Sequence, residues 1–263
     1  MGDELNGYQP LVLRPVHGLP LISKGDELAD LIGEALLENQ IQIQSGDLLV
    51  IAQKIVSKAE GRLVDLREIS PSPEAQELAR MTGKDPREVE CILGESKSVL
   101  RTRPGLIVVE HKMGFICANA GIDHSNVPAE NGDHSHWVLL LPENPDRSAA
   151  NLRKQLEEST DSRLGVVIID SHGRAWREGT VGISIGYSGV PGLVDLRGRM
   201  DLFDYQLRIT QIAAVDELAA GASLLMGQAA EGIPVVHVRG FPYPLREGSF
   251  QELPRKPDED LFR

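Results

Sequence analysis

The chain has 263 residues, enough to bury a substantial core, and its 41% hydrophobic and 25% charged residues are ordinary for a soluble globular protein. A formal net charge of −12 argues against a general nucleic-acid binder, and only 4% aromatics leaves no base-stacking platform. Acidity still permits one small anionic ligand, because a divalent cation can mediate between carboxylates and phosphate.

The N-terminal MGDELNGYQP is neither basic nor apolar, so no signal peptide is expected, and Asn6 stands where a myristoylation signal has Ser or Thr. Leu11 to Val16 predicts a strand, with a turn at Gly18-Leu19-Pro20-Leu21-Ile22. Leu28, Leu31, Ile32, Ala35 and Leu36 then form one apolar helical face starting near Asp26. Asp47 to Ala52 predicts a buried strand running straight into QKIVSKAEGR, residues 53–62. Prolines open two expected helices, Pro73 to Thr82 and Pro86 to Leu93. Short strands at Ser98 to Thr102 and Leu106 to Glu110 lead to CANAGIDHSNV, residues 117–127. A strand over Val138 to Leu141 precedes a helix expected from Ser148 to Ser159.

The apolar run Val166 to Ile169 predicts a strand ending in Asp170-Ser171, with the charged Arg174, Arg177 and Glu178 crowded behind it. The Gly-rich VGISIGYSGVPG follows as strand. A long buried helix is expected over Leu207 to Met226, because alanines and aliphatics surround its axis, and Asp216 and Glu217 within it would need partners. A strand over Val235 to Val238 and a polar tail close the chain. No apolar run approaches the roughly 20 residues that span a bilayer. Cys91 and Cys117 have no metal-ligand spacing, so free thiols and a cytoplasmic protein are expected. Strands and helices alternate without linkers or repeats, so the class is α/β with no clear domain boundary.

Phosphate-loop, H-E-x-x-H and C-x-x-C motifs are absent. Gly182-Ile183-Ser184-Ile185-Gly186 matches the hydrolase elbow, but that elbow needs a strand, a sharp turn and a helix, and plain strand is expected here. His134-Ser135-His136 lacks a third ligand nearby and reads as a polar loop. Asp170-Ser171 admits two readings. At the carboxyl end of an α/β strand, a carboxylate and a hydroxyl suit a hard cation such as Mg²⁺ or Mn²⁺; equally, Asp and Ser are common turn and helix caps. Asp123 and Asn126, after Gly121, admit the same pair of readings. Together with Lys54 and Lys58 behind a buried strand, these loops suggest an assembled phosphate and metal site.

The segments GLPLI, QKIVSKAEGR, ANAGIDHSNV, DSHGRAWREG, LRGRMDLF, DELAAGASLLMGQAAEGIPVVHVRG and PDEDLFR resemble the coenzyme F420-0:L-glutamate ligase family, in the family's order from Gly18 to Arg263. The resemblance implies GTP-dependent addition of L-glutamate to coenzyme F420-0 and F420-1 through gamma-linked amides, and a homodimer. It implies an unusual α/β fold, mixed sheets with packed helices in two intimately joined lobes, as one domain over residues 1–263 and in the free-standing rather than the fused form. Carried over residue by residue, Leu19, Pro20, Leu21, Ile22, Gln53, Lys54 and Lys58 would line the GTP site, Asn126 would contact the nucleotide, and Met226, Gly227, Gln228, Ala229, Ala230, Glu231, Gly232 and Ile233 would wrap it. Asp123 and Asp170 would hold a first Mg²⁺ or Mn²⁺, Ser171 and Gln228 a second, with K⁺ as a further candidate. Asp123, Asp170 and Lys58 would carry the chemistry. Ser171 stands where the family commonly has Thr, which keeps the hydroxyl, and VPAENGDHSH (127–136) is longer than the family pattern. Arg177 and Glu178 would either position substrate or pair with each other. Two other functions stay open: an amide ligase of the same fold for another carboxylate metabolite, and a nucleotide-binding protein without turnover.

Overall fold

A computed structural model describes residues 10–127 and 135–260. In chain order the elements are β1 (Val12–Val16), α1 (Leu28–Glu38), β2 (Leu48–Ala52), α2 (Gln53–Ala59), β3 (Leu63–Asp65), α3 (Pro73–Thr82), α4 (Pro86–Gly94), β4 (Ser96–Arg103), β5 (Leu106–His111), β6 (Ile116–Ala118), β7 (Trp137–Leu139), α5 (Pro145–Thr160), β8 (Gly165–Arg174), β9 (Arg177–Ser188), β10 (Leu193–Asp195), β11 (Gln211–Ala213), α6 (Ala214–Met226) and β12 (Val235–Arg239). The class is mixed α/β, as expected.

The central sheet runs β1-β12-β2-β8-β9, and only β2 and β8 are parallel. Period-two alternation explains its layers. Leu49 and Ile51 of β2, with Val166 and Ile168 of β8, face the core built with α1 and α5. Leu48, Val50, Val167 and Ile169 face the opposite core, built with α6. Both faces are covered, which is why these strands read as continuous apolar runs. A second sheet, β4-β5-β6, packs one face on α3 and α4 through Ile107, Val109, Ala79 and Ile92. The helix starts follow local chemistry: Ser72 Oγ accepts from Ala75 N (3.2 Å), Asp85 from Arg87 N (2.8 Å) and Asn144 from Arg147 N (3.0 Å), each just before a proline at the first helical turn.

Two expectations need correction, and one element goes beyond them. The long helix does not start at Leu207. Residues 211–213 pair with β10 as β11, and Leu196 N donates to Thr210 O, so the helix begins only at Ala214, where that pairing ends. Within it Asp216 finds a partner in Ser184, while Glu217 meets solvent. Residues 53–59, to which the sequence pattern assigns nothing, form α2. Finally, β8 does not stop at Ile169. It continues to Arg174 because β9 pairs with it beyond the apolar run, Asp170 opposite Ile183 and Ser171 opposite Gly182. The crowded charges are therefore a solvated hairpin tip, turned at Trp176 (φ 63°).

Candidate active site

The end of β2, the middle of β8 and the start of β12 meet at one end of the central sheet. β2 ends at Ala52, opposite Ile169 of its parallel neighbour, so Asp170 lies one register step beyond β2, level with the start of α2. Ala52 N donates to Pro234 O (2.8 Å), which brings the segment before β12 to the same place. Ligands gather at such carboxyl ends in α/β proteins. Here a cavity of about 1350 Å³ opens, and every residue assigned to the site by resemblance lines it, from Leu19 to Ile22, through Gln53, Lys54, Lys58, Asp123, Asn126, Asp170 and Ser171, to Met226 to Ile233.

The loop holding Asp123 is tightly wound. Asn119 (φ 48°), Ala120 (φ 53°) and Gly121 (φ 67°) are consecutive left-handed residues, and a Cβ on Gly121 would lie 2.6 Å from Leu141. Asn119 Oδ1 accepts from Ile107 N (3.0 Å), and Asp123 exchanges both backbone hydrogen bonds with Leu139. The carboxylate thus projects from a fixed backbone. Lys54 Nζ lies 2.7 Å from Asp123 Oδ2 and also donates to Ser125 Oγ. Burial pushes the Asp123 carboxyl up, but the Lys54 hydrogen bond, Ser125 N–H and the Lys54 charge outweigh it and hold the pKa below its ordinary value. Lys58, four residues along α2, is half-buried and makes no ion pair among the described residues. Burial first, and then the Lys54 charge, lower its pKa, with Asp123 opposing. Gln53 is 1% exposed; its Oε1 accepts from Ser57 Oγ (2.8 Å), while its Nε2 has no partner among the described residues.

On β8 the alternation sends Asp170 to one face and Ser171 to the other. Asp170 Oδ2 lies 2.9 Å from His172 Nε2, yet that nitrogen counts as unsatisfied, so the approach is close but misaligned for a hydrogen bond. Phe115 packs on His172, with ring centroids 5.3 Å apart, and holds that face of the hairpin. Ser171 Oγ donates to Gln228 Oε1 at 2.9 Å, just past the end of α6. Asn126 Nδ2 donates to Ala229 O (3.3 Å) and so ties the Asp123 loop to the loop after α6. Glu231 folds back on that second loop and accepts from Ala229 N (2.8 Å).

These donors suit a hard divalent cation. Asp123, Asp170, Ser171 and Gln228 are all oxygen ligands, and Lys54 keeps the Asp123 carboxylate ionised. Among the described residues no three His, Cys, Asp or Glu side chains form a closed cage. An open set of one or two carboxylates completed by water and phosphate oxygens is how Mg²⁺ is commonly held. Asp170 lies inside a strand, so the helix-cap alternative does not apply to it.

Other expected features fall away from the chemistry. Ser184 is 1% exposed and donates to Asp216 Oδ1 (2.7 Å) within a continuous strand, with no sharp turn behind it. Cys91 and Cys117 are buried free thiols, and burial pushes them up to about 11 and about 12. His134 and most of the 127–136 segment lie outside the described residues. Arg177 lines the cavity and forms no ion pair with Glu178, whose backbone oxygen instead accepts from Arg174 (2.9 Å). The cavity also recruits Arg103, Leu106, Val108, Ile116 and Thr180, which no motif marks. Alternation along Leu106 to His111 signals a two-faced strand, but not what its second face meets.

No described helix is long and apolar enough to cross a membrane. The family model described as F420-0:Gamma-glutamyl ligase matches residues 18–240. The coenzyme F420:L-glutamate ligase of Methanothermobacter thermautotrophicus is 47% identical over 94% of this chain and 97% of its own length. Those of Methanopyrus kandleri (46%, over 98% and 100%) and Archaeoglobus fulgidus (45%, over 95% and 95%) are similar to this chain to nearly the same degree. On this evidence the chain belongs to the F420-0:gamma-glutamyl ligase family.

Proposed function

We propose that the chain is a GTP-dependent ligase that adds L-glutamate to coenzyme F420-0, and then to F420-1, through gamma-linked amides, releasing GDP and phosphate. The observation that supports this best is the convergence of two carboxylates and two lysines, from α2, the Asp123 loop and β8, on one cavity. At about 1350 Å³ it exceeds the roughly 300–1,000 Å³ usual for a single ligand. A carboxylate forms an amide poorly because its oxygen is a poor leaving group. On this reading the acceptor carboxylate oxygen attacks the terminal phosphorus of GTP, and the bond to the GDP oxygen breaks. The amine of glutamate then attacks the acyl carbon of that acyl phosphate, phosphate leaves, and the amine loses a proton.

The chain's own residues position these groups. Lys58, without an ion pair among the described residues, neutralises phosphate oxygens. Lys54 orients Asp123. Leu19 to Ile22 and Met226 to Ile233 enclose the nucleotide, Asn126 fixes one loop to the other, and Gln53 lines the pocket beside Lys54. Asp123 and Asp170 would hold one Mg²⁺ or Mn²⁺, and Ser171 with Gln228 a second; K⁺ remains a candidate with no ligand assigned. Such cations, when bound, offset the negative charge between phosphate and carboxylate. The same reading takes residues 1–263 as one cytoplasmic ligase domain of two joined lobes, working as a homodimer.

The test is to incubate the protein with GTP, Mg²⁺ or Mn²⁺, L-glutamate and coenzyme F420-0, and weigh the product. A gain of one or more glutamyl residues with matching GDP release is expected. GTP binding without any product would favour a nucleotide-binding protein without turnover, and product only with a different carboxylate would move the substrate.

A further inference from the structure

Resting on the ligase reading, we propose that the part of the cavity not claimed by the nucleotide is the acceptor site. It has an apolar wall of Leu106, Val108 and Ile116 for a flat ring, and Arg103, Arg174 and Arg177 for that molecule's anionic arm.

The apolar wall follows from strand alternation. Ile107 and Val109 of β5 point into the core with α3 and α4, so Leu106 and Val108 point the other way. Ile116 of β6 stands opposite Glu110 on that same outer face. All three side chains are half-buried, belong to none of the hydrophobic cores and line the cavity. An apolar sheet face that joins no core of the described residues, set in the wall of a cavity, is suited to a ring-shaped ligand.

The arginines reach the cavity from two elements. Arg174 and Arg177 are cross-strand partners at the tip of the β8–β9 hairpin, and Arg103 ends β4 of the sheet that carries the apolar wall. β6 packs beside β8, so the sheet and the hairpin face each other. None of the three makes an ion pair among the described residues, although Asp and Glu outnumber Lys and Arg 39 to 27 in this chain. Unpaired arginines occur elsewhere on the surface; these three are distinguished by lining one cavity. Arg174 lies four residues along an extended strand from Asp170, roughly 13 Å at about 3.3 Å per residue. That span separates anchoring of the arm from the phosphate chemistry and leaves room for a ring between them. An acceptor that carries a flat ring and an anionic arm fits this wall; glutamate, which has no ring, does not need it.

The experiment, on the full chain with Mn²⁺ present, is steady-state kinetics with GTP and calorimetry with GDP. Wild type is compared with Arg103→Gln, Arg177→Gln, the double variant Arg174→Gln/Arg177→Gln, and Val108→Glu. Because the arginines are exposed, folding should survive their replacement, and a melting curve checks it. The expected result is a KM and Kd for coenzyme F420-0 raised about tenfold or more by each change, the scale of one lost charge-assisted contact. KM for GTP and for L-glutamate should stay where they are. Unchanged acceptor affinity in the arginine variants and Val108→Glu, or a rise confined to the KM for glutamate, overturns the assignment while the ligase reading stands. A wild-type protein that neither binds nor glutamylates F420-0 overturns both.

Discussion

Lys54 and Lys58 sit one helical turn apart and face one cavity, yet their environments divide the work. Lys54 is committed to Asp123 and Ser125, whereas Lys58 makes no ion pair among the described residues. Lys58→Ala is therefore expected to weaken GTP binding by about 10- to 100-fold, from roughly 1.5–3 kcal/mol for a charge-assisted contact, and more than Lys54→Ala does. Equal GTP affinity of wild type and Lys58→Ala in a titration would remove that role. Asp170 can be tested without changing its shape. Asp170→Asn should lower turnover by at least the roughly 10–100-fold that loss of a mere outer partner of a metal ligand costs. Its melting temperature should stay within about 3 °C of wild type or rise, because a carboxylate held for a cation is often unfavourable without one. A fully active variant at limiting metal would count against the ligand role. At this scale the site was legible where residue chemistry is distinctive, as at Asp123, Asp170 and the lysines. Arg103 and Val108 were not, because a strand's sequence reveals that it has two faces without saying what lies over the second.

Among elements, the β9 segment Gly182 to Gly186 shows why a motif can mislead. Ile168 pairs with Gly186, but its neighbour Ile169 pairs with Ser184, so Ile185 is an extra residue that reverses which face follows. Gly182 and Ser184 then meet α6, where a Cβ on Gly182 would lie 2.6 Å from Ser223 Cβ and 2.7 Å from Ala219 O. Gly186 meets the start of α5 on the opposite face, where a Cβ would lie 2.4 Å from Pro145. The two glycines let helices approach both sides of the sheet; neither builds a nucleophile turn. Gly182→Ala should cost about 1–3 kcal/mol in a urea melt, the range of overpacking, with α6 and its Gln228 displaced. A variant as stable as wild type would show that the helix gives way freely.

The other end of the central sheet is tied by charge. Asp47 is 2% exposed and bonded to Arg239 (2.6 and 2.8 Å) and to His237 (2.9 Å). Burial alone would push the Asp47 carboxyl up, but the bonds from Arg239, His237 and Gln44 N–H hold it well below the usual carboxylate range. A folded pKa below the unfolded one means stability present above about pH 4 and lost as the pH falls from there toward the folded value. Asp47→Asn should thus cost about 3 kcal/mol at pH 7, and the gap to wild type should shrink as acid protonates the wild-type carboxyl. A gap independent of pH would mean that packing, not charge, matters there. Helix starts at Ser72 and Asp85 were readable because capping is local. The start of α6 was not, since its first expected turns are claimed by β10, a partner remote in sequence.

Over the whole molecule, the hydrophobic pattern predicted the α/β class because both faces of the central sheet are covered, but it could not show where the chain leaves apolar surface bare. That surface is concentrated on the arm between β10 and β11, where Leu202 is 97% exposed, Phe203 90% and Ile209 88%, with Met200 and Tyr205 beside them. The arm is built, not loose. Gly198 N donates to Leu207 O and Leu207 N to Arg199 O (both 2.8 Å), while Asp201 Oδ1 accepts from Phe203 N and Tyr205 N. Prearranged aromatic and aliphatic anchors reduce the ordering cost of association, and a stable interface needs about 800 Å² per partner. A net charge of −12 opposes self-association at long range, so the contact must be apolar and should strengthen as salt screens that repulsion. For the proposed homodimer, the double change Leu202→Asp/Phe203→Asp should therefore yield monomers in sedimentation velocity. Its circular dichroism should match wild type, since neither side chain belongs to a core of its own chain. A wild type that sediments as a monomer would reject the homodimer, and a variant that stays dimeric would move the interface off this arm.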